Sequence, residues 1–258
     1  MNDPILLQVD ANGVGTLTFN RPEAMNALNQ AAMQQFAACV QQLTTDSALR
    51  VLILAGAGTA AFCSGGDLVE LRDRPTEEDA RAMIDLMGGA LLALEALPVP
   101  VIAAVNGYAL GGGSEIALAC DLRIVDESAR MGFVQINMAL TPGWGAGQRL
   151  ARLVGASKAL ELLLDGQPLG AEALRALGLA NEVAPHGQAL TAARRRAEAI
   201  AQRPPQVVRA IKALLHAHRT LPYPVALQAE RDLFPPLWSH PDHLNAVEAF
   251  FARQTRKG

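Results

Sequence analysis

The chain has 258 residues, of which 50% are hydrophobic and only 4% aromatic, and its formal net charge is −3 at pH 7. This length suits one large domain or a core with a small appendage, and the apolar content is ample for a packed core. The slightly acidic balance argues against a general nucleic-acid partner, and the lack of a long unbroken apolar segment argues against a membrane-spanning helix.

The cysteines and the N-terminal segment indicate the compartment. Cys39, Cys63 and Cys120 form no CxxC pair, and their odd number argues against a disulfide framework. The first ten residues, MNDPILLQVD, have neither the basic nor the apolar region of a secretory signal. Together these features predict a protein of the reducing cytoplasm.

Strand and helix patterns alternate in the first half of the chain. Strands are predicted at 14–19, 51–55, 101–105 and 122–125, and helices at 28–43, 77–97 and 114–119. Two small-residue loops separate them, from Gly56 to Gly66 and from Gly107 to Gly113. The unbroken apolar runs suit strands buried on both faces. Their alternation with helices indicates an α/β fold with parallel strands.

Beyond about residue 145 the pattern becomes mainly helical. The pair Pro204-Pro205 interrupts it, and three further helices are predicted at 206–218, 223–233 and 242–253. We therefore expect two regions, a core over residues 1–200 and a C-terminal helical region over residues 201–258.

The two loops that can carry chemistry each follow a predicted buried strand. They are AFCSGGDL, residues 61–68, and NGYALGGGSE, residues 106–115. Glycines let a ligand approach the backbone, and a helix N-terminus adds exposed N–H donors. Two such N–H groups aimed at one point would form an oxyanion hole. Tight strand-to-helix packing explains either loop alone equally well, and neither loop completes a dinucleotide-binding or P-loop motif.

The two loops in this order, with their flanks, resemble the enoyl-CoA hydratase/isomerase (crotonase) superfamily. Further matches are TFNRPEAMNAL (18–28), TPGWGAGQRLARLVG (141–155) and LGLANEVAP (177–185), so the resemblance covers almost the whole chain. It implies an α/β crotonase fold, which is a ClpP-like spiral of ββα units with a C-terminal helical trimerisation region. It also implies an acyl-CoA substrate, no metal or redox cofactor, and a homotrimer or dimer of trimers.

The same resemblance assigns candidate site residues. Gly66 and Gly112 match the two oxyanion-hole donors, and Glu115 matches the first catalytic glutamate of the hydratases. Coenzyme A, entering as part of the substrate rather than as a cofactor, would contact Ala24, Ser64, Gly65, Asp67, Leu68, Phe250 and Arg253. In the family, the last two positions reach coenzyme A from a neighbouring subunit.

One position departs from the hydratase pattern. The second catalytic glutamate of the hydratases is replaced here by Gln135. A carboxamide cannot transfer a proton at ordinary pH, and removing one general acid typically costs about 100- to 10,000-fold in rate. Enoyl-CoA isomerases need only one base, and methylmalonyl- and ethylmalonyl-CoA decarboxylases generate the enolate by losing CO2. The chain is similar to the latter in its loop GFVQINMALTPGWGAG and in its tail, residues 204–247.

Within that loop, Trp144 and Leu140 are candidates for the substrate pocket, although Trp144 is equally compatible with a role in packing. The favoured function is decarboxylation of a short branched malonyl-CoA, and hydration or isomerisation of an enoyl-CoA is the alternative. A thioesterase, or a non-catalytic relative that binds acyl-CoA or RNA, is a further possibility. The intact Gly66, Gly112 and Glu115 argue against the non-catalytic relative.

Other chemically active side chains do not form a recognisable site. Ser64 and Ser114 lie outside any GxSxG motif, which argues against a nucleophilic serine. The histidines at 216, 218, 240 and 243 lack a third ligand at suitable spacing, so no metal site is predicted.

Overall fold

The computed structural model describes residues 3–255. The strands are β1 (Ile5–Val9), β2 (Val14–Phe19), β3 (Val51–Gly56), β4 (Ala61–Cys63), β5 (Val101–Val105), β6 (Tyr108–Leu110), β7 (Leu122–Asp126), β8 (Arg130–Gly132), β9 (Leu169–Gly170) and β10 (Glu182–Ala184). The helices are α1 (Gln30–Leu43), α2 (Leu68–Leu71), α3 (Glu77–Ala96), α4 (Gly112–Ala119), α5 (Ala146–Val154), α6 (Ala156–Asp165), α7 (Ala171–Ala176), α8 (Ala189–Ala201), α9 (Pro205–Thr220), α10 (Tyr223–Trp238) and α11 (Pro241–Thr255). Two short 3-10 helices span Pro22–Ala24 and Val134–Met138.

The strands form two sheets. The larger has six strands in the order β1-β2-β3-β5-β7-β10, and the smaller has four in the order β4-β6-β8-β9. All pairings are parallel except β1 with β2 and β8 with β9. The predicted α/β architecture with parallel strands is therefore confirmed.

The chain alternates between the two sheets. β3, β5 and β7 are neighbours in the larger sheet, and each is followed by a strand of the smaller sheet, β4, β6 and β8 respectively. A helical segment follows each pair. Each of three successive turns thus adds one strand to each sheet. This arrangement is a spiral of ββα units.

The core forms where the larger sheet meets α1 and α3. β5 is buried at every residue and β3 at all but the last, as expected for strands covered on both faces. From α1, Phe36 packs against Phe19 of β2 with ring centroids 5.9 Å apart, and Phe19 meets Phe62 of β4 edge-on at 5.3 Å. This aromatic cluster anchors the first turn of the spiral, which leads into the first glycine loop.

Several boundaries differ from the prediction. The two predicted loops contain the short strands β4 and β6, and Leu28 lies before α1, where it forms an isolated bridge with Gly66. The helix predicted to end at residue 233 continues through Pro235 and Pro236 to Trp238. A proline lacks the N–H donor, but its fixed φ is close to the helical value, so the last turn persists with fewer hydrogen bonds. β1, β8, β9, β10 and α2 were not predicted.

The chain divides into two compact units, with the boundary in the sequence between Ile200 and Ala201. The first unit contains both sheets. In the second, α10 contacts both α9 and α11. Oligomerisation through the second unit stays a prediction.

All three cysteines are free thiols, and burial raises the pKa of Cys63 to about 12 against a weaker opposing hydrogen bond with Gly65. Within residues 3–255, no helix is both long and apolar enough to cross a membrane.

Candidate active site

The two glycine loops meet at Gly65 and Gly112. Gly65 has a φ of +99°, and a Cβ atom at this position would lie 3.0 Å from the backbone nitrogen of Gly112 and 3.0 Å from the carbonyl oxygen of Leu110. A residue with a side chain would be strained by this φ and crowded by the second loop. The glycine therefore allows direct backbone contact between the ends of β4 and β6.

The backbone N–H groups of Gly66 and Gly112, the two predicted oxyanion-hole donors, are not used by the neighbouring bridge or helix. Leu28 N donates to Gly65 O at 2.8 Å, and Asp67 N donates to Leu28 O at 2.9 Å. In this parallel bridge the N–H of Gly66 points to the side opposite Leu28. Gly112 is the first residue of α4, so its N–H has no acceptor within the helix. Both groups are thus suited to bind a ligand oxygen.

The segment before α1 holds the first loop in place. The side chain of Asn26 is buried, and its Nδ2 donates to Ala57 O at 3.0 Å and to Ala61 O at 2.7 Å. Asn26 adopts the left-handed conformation, with a φ of +56°, which asparagine tolerates better than most residues. The residue therefore connects the NRPEAMNAL segment to the strand that enters the glycine loop.

A second anchor joins Arg21 to Asp67. Arg21 Nη1 donates to Asp67 Oδ2 at 2.8 Å and to Ala27 O at 2.7 Å. Burial favours the neutral carboxyl, but Arg21 and the N–H groups of Val69 and Glu70 hold the pKa of Asp67 below its ordinary value. Because the carboxylate of Asp67 is engaged in this way, we expect its side chain to shape the loop rather than to bind coenzyme A.

Glu115 is almost completely buried, with an exposed fraction of 2%. Its Oε2 accepts the N–H groups of Trp144 at 2.8 Å and Ala146 at 2.9 Å, and its Oε1 accepts Nε2 of Gln135 at 2.9 Å. Burial raises the pKa of Glu115 although these hydrogen bonds, with one from Gly143, oppose the shift. A buried carboxyl group with a raised pKa, one turn into the helix that Gly112 begins, is suited to proton transfer.

The hydrogen bonds of Glu115 also fix the start of α5. Ala146 is the first residue of that helix, and Gly145 before it has no side chain to cap the free N–H groups. The carboxylate of Glu115 takes this capping role from α4. Glu115 thus serves both as the candidate proton carrier and as the support of the Trp144 loop.

Gln135 has one polar atom without a partner. While its Nε2 donates to Glu115, its Oε1 is buried and accepts no hydrogen bond from any residue in the described range 3–255. A buried acceptor left unpaired costs about 1–3 kcal/mol. This oxygen therefore marks a position where a water molecule or a donor group of a ligand would be stabilised.

Trp144 lies directly against Gly112. It is 5% exposed, and a Cβ atom on Gly112 would lie 2.1 Å from Cζ3 of the indole. The ring therefore covers the first turn of α4, beside the predicted oxyanion hole. Leu140, the other predicted pocket residue, is 64% exposed and follows Ala139, which has a φ of +56°.

The residues predicted to contact coenzyme A fall into two groups. Ser64 N donates to Met25 O at 3.1 Å, so the segment around Ala24 runs beside the loop from Ser64 to Leu68, where Leu68 is exposed. Phe250 and Arg253 lie on α11 in the second unit, and both are exposed.

The residues considered for other chemistry have structural partners or lack a cluster. The buried hydroxyl of Ser114 lies 2.7 Å from Ala109 O and 2.9 Å from Gly132 O, and it accepts the N–H of Gly132 at 3.1 Å. It connects α4 to β6 and β8 and is not placed as a nucleophile. In the described part of the chain, no group of three or more His, Cys, Asp or Glu side chains could hold a metal ion.

The sequence motifs did not identify the ion pair between Glu95 and Arg149. Arg149 Nε lies 3.0 Å from Glu95 Oε1 and Arg149 Nη2 lies 3.3 Å from Glu95 Oε2, and both side chains are largely buried. Arg149 Nη1 also donates a hydrogen bond to the carbonyl oxygen of Trp144. The sequence offered one signal for this ion pair. Arg149 lies at helical spacing from Ala146 and next to Leu150, which places a charged side chain on the buried face of α5.

Comparison with known proteins gives consistent results. The family model described as enoyl-CoA hydratase/isomerase matches residues 10–257. The chain is 35% identical over 246 residues to a short-chain-enoyl-CoA hydratase of Clostridium acetobutylicum, covering 95% of this chain and 94% of that protein. It is 35% identical over 244 residues to an ethylmalonyl-CoA decarboxylase of Rattus norvegicus, covering 93% of this chain and 81% of that protein.

The fold is also that of solved structures. The crystal structure of an enoyl-CoA hydratase from Bacillus anthracis matches with a TM-score of 0.91 and 35% identity, covering 97% of this chain and 96% of that one. The crotonase fold expected from the sequence resemblance is thereby confirmed.

Proposed function

The chain belongs to the enoyl-CoA hydratase/isomerase family of acyl-CoA-processing enzymes, and we propose that it decarboxylates a short branched malonyl-CoA. The observation that carries the proposal is the pair of Glu115 and Gln135 beside Gly112. One carboxyl group and one neutral amide lie in contact, where a hydratase of the two-glutamate type would have two carboxyl groups.

The proposed reaction begins with cleavage of the bond between the α carbon and the substrate carboxylate. The bonding electron pair moves into the thioester, whose oxygen becomes an enolate oxyanion, and CO2 leaves. The N–H groups of Gly66 and Gly112 stabilise this oxyanion, and each such donor typically contributes about 3–4 kcal/mol. The α carbon then takes a proton from neutral Glu115, which regains one from solvent. The raised pKa of Glu115 favours this neutral form.

Two features favour a substrate with a small acyl group and a carboxylate. Gln135 is uncharged, so it does not repel the departing carboxylate, and an amide has a second N–H that can hold that group. The indole of Trp144 packs directly against Gly112, beside the predicted oxyanion hole, and we infer that it restricts the size of the acyl group there.

Hydration or isomerisation of an enoyl-CoA is the second candidate. The unpaired Oε1 of Gln135 favours it, because this acceptor would hold a water molecule next to Glu115. The Clostridium relative is named as a short-chain-enoyl-CoA hydratase, which also supports this candidate.

Product analysis separates the two candidates. The enzyme should be incubated with ethylmalonyl-, methylmalonyl-, crotonyl- and 3-enoyl-CoA, with products measured by mass spectrometry and CO2 measured directly. We expect CO2 and a saturated acyl-CoA from the malonyl esters. Efficient hydration of crotonyl-CoA with no CO2 from either malonyl ester would contradict the decarboxylase proposal. The proposed chemistry uses no separate cofactor, so EDTA should leave the rate unchanged.

We expect Gln135→Glu to lower the decarboxylation rate at least about tenfold. The new carboxylate would face both Glu115 and the substrate carboxylate, and two like charges 4 Å apart repel by about 4 kcal/mol at an effective dielectric constant of 20. Steady-state rates of CO2 release would measure the effect, and hydration of crotonyl-CoA should rise if the second acid is restored.

Gln135→Met serves as the control for this experiment, because it removes the amide without adding charge. If Gln135→Glu and Gln135→Met lose the same activity, charge repulsion is not the cause. An unaltered decarboxylation rate in Gln135→Glu would contradict the role assigned to the neutral amide.

We further propose that the protein forms a trimer or a dimer of trimers through the second unit, with Arg253 acting on the coenzyme A of a neighbouring subunit. The second unit exposes large apolar side chains, including Phe234, Trp238 and Phe250, which a helical unit of this size leaves uncovered. Arg253 is exposed on α11, and a guanidinium suits phosphate groups.

Arg253→Ala should weaken binding of a CoA ester about tenfold at low salt, which is typical of losing one charge-assisted hydrogen bond. Calorimetry would measure the Kd, and light scattering the oligomeric state. Arg231→Ala, which changes another exposed arginine of the second unit, is the matched control. A stable, active monomer, or unaltered affinity in Arg253→Ala, would refute this proposal.

A further inference from the structure

The Trp144 loop is held from two sides. On one side, the N–H groups of Trp144 and Ala146 donate to Glu115. On the other side, Nη1 of Arg149 donates to the carbonyl of Trp144 at 2.6 Å. The absence of a side chain at Gly145 makes this contact possible, since a Cβ atom there would lie 2.5 Å from Arg149 Nη1.

Glu95 fixes the guanidinium that holds this carbonyl. It lies near the C-terminal end of α3 and meets Arg149 through two hydrogen bonds in the fork geometry, at 3.0 Å and 3.3 Å. A planar guanidinium that Glu95 already holds along one edge, through Nε and Nη2, loses little further freedom when its Nη1 binds the carbonyl. A continuous chain of contacts therefore runs from α3 through Arg149 and the Trp144 peptide to Glu115.

We propose that Glu95 and Arg149 are positioning residues, which hold the Trp144 loop so that its N–H groups orient the carboxyl group of Glu115 and its indole covers Gly112. This inference rests on the proposed role of Glu115 in proton transfer. It assigns no chemical step to the ion pair, which contacts the reacting group only through the loop.

The test compares Arg149→Met, Glu95→Leu and the double variant. Loss of the pair should lower kcat about 100-fold, the effect expected of a 1 Å misplacement, with KM changed less than threefold. If Glu95 acts only through Arg149, the double variant should be no worse than Arg149→Met alone. The double variant also leaves no lone buried charge, so it is expected to fold even if a single variant does not. Arg149→Lys, which keeps the charge but loses the fork, should give an intermediate kcat.

Two readouts separate positioning from a merely structural role. The protein has two tryptophans, so in a Trp238→Phe background the fluorescence reports Trp144 alone. A loosened loop should shift its emission to longer wavelength. The N–H donors of the loop lower the pKa of Glu115, so losing them should raise that pKa. The limb of the pH–rate profile that belongs to Glu115, identified as the one that Glu115→Gln abolishes, should therefore shift to higher pH. Lys158→Met, which breaks an exposed ion pair with Glu161, is the control.

The outcomes distinguish this inference from the proposed function. Folded variants with wild-type kcat, emission and pH profile would overturn the positioning role. The emission shift does not depend on which reaction the enzyme catalyses. A shift in emission with an unexpected product from the substrate panel would therefore support the positioning role and contradict only the decarboxylase proposal.

Discussion

Glu115→Gln is expected to lower turnover by at least about 100-fold while leaving the Kd for an acyl-CoA ester nearly unchanged. The substitution keeps the size of the side chain but removes its ability to transfer a proton. Single-turnover kinetics and calorimetry with the best substrate of the panel would measure the two quantities.

The fold should tolerate this change. The new amide oxygen can accept the N–H groups of Trp144 and Ala146, which Oε2 accepts in the wild type. The amide nitrogen would face Gln135, whose amide can turn and offer its unpaired Oε1 as an acceptor. Burial raises the pKa of Glu115 in the folded state, so this group destabilises the fold once the pH exceeds the ordinary carboxyl pKa, and a neutral amide avoids that cost. The Tm of Glu115→Gln at neutral pH should therefore not fall.

Glu127→Gln changes an exposed carboxyl group in the same unit and is the control for the loss of one negative charge. Normal turnover in Glu115→Gln would show that another group handles the proton. A weakened Kd with unchanged kcat would instead assign Glu115 to substrate binding.

Gly112→Ala is expected to lower kcat by about 100- to 1,000-fold, because the clash it introduces would displace the predicted oxyanion-hole N–H of residue 112 by enough to lose its contribution. The added methyl group would lie 2.1 Å from the indole of Trp144, so either the ring or the start of α4 must move. Because the backbone N–H of Trp144 also donates to Glu115, a displacement of Trp144 would disturb the proposed proton carrier as well. Steady-state kinetics combined with Trp144 emission would follow both effects.

Two glycine variants provide the comparison. A Cβ atom on Gly147, inside α5, meets nothing within 4 Å, so Gly147→Ala should be harmless. A Cβ atom on Gly66 would meet the end of the flexible Leu71 side chain at 2.7 Å, which can turn away, so Gly66→Ala should lose far less activity than Gly112→Ala. Partial rescue of Gly112→Ala by Trp144→Leu would identify the clash as the cause. Near-normal kcat in Gly112→Ala would contradict the expected displacement of the indole or of the start of α4.

The parts of the fold that the sequence predicted are those with a long local pattern. The apolar runs at 51–55 and 101–105 could be recognised as strands because both of their faces are buried. β4, β6 and β8 have three residues each, too few to show a period of two, so they were missed or taken as parts of loops.

The site divides in the same way. Gly66, Gly112, Glu115 and Gln135 could be chosen through family resemblance, because each lies in a contiguous motif. The contacts between them could not be derived, since 20 residues separate Gln135 from Glu115 and 54 separate Arg149 from Glu95. Only the topology of the spiral brings such pairs together, and local sequence does not encode it.

The alternation of strands between the two sheets has a consequence for how such an enzyme can change its chemistry. β4 and β6 are hydrogen-bonded neighbours, and Gly66 and Gly112 lie within three residues of their ends, on successive turns of the spiral. Neighbouring strands lie about 4.8 Å apart whatever side chains they carry. The separation of the two predicted oxyanion-hole donors is therefore set by main-chain geometry, and substitutions of the surrounding side chains can change the reaction without changing that separation. Position 135 is one place where such divergence could act, because its side chain contacts Glu115, the proposed proton carrier, but contributes nothing to the spacing of the predicted donors.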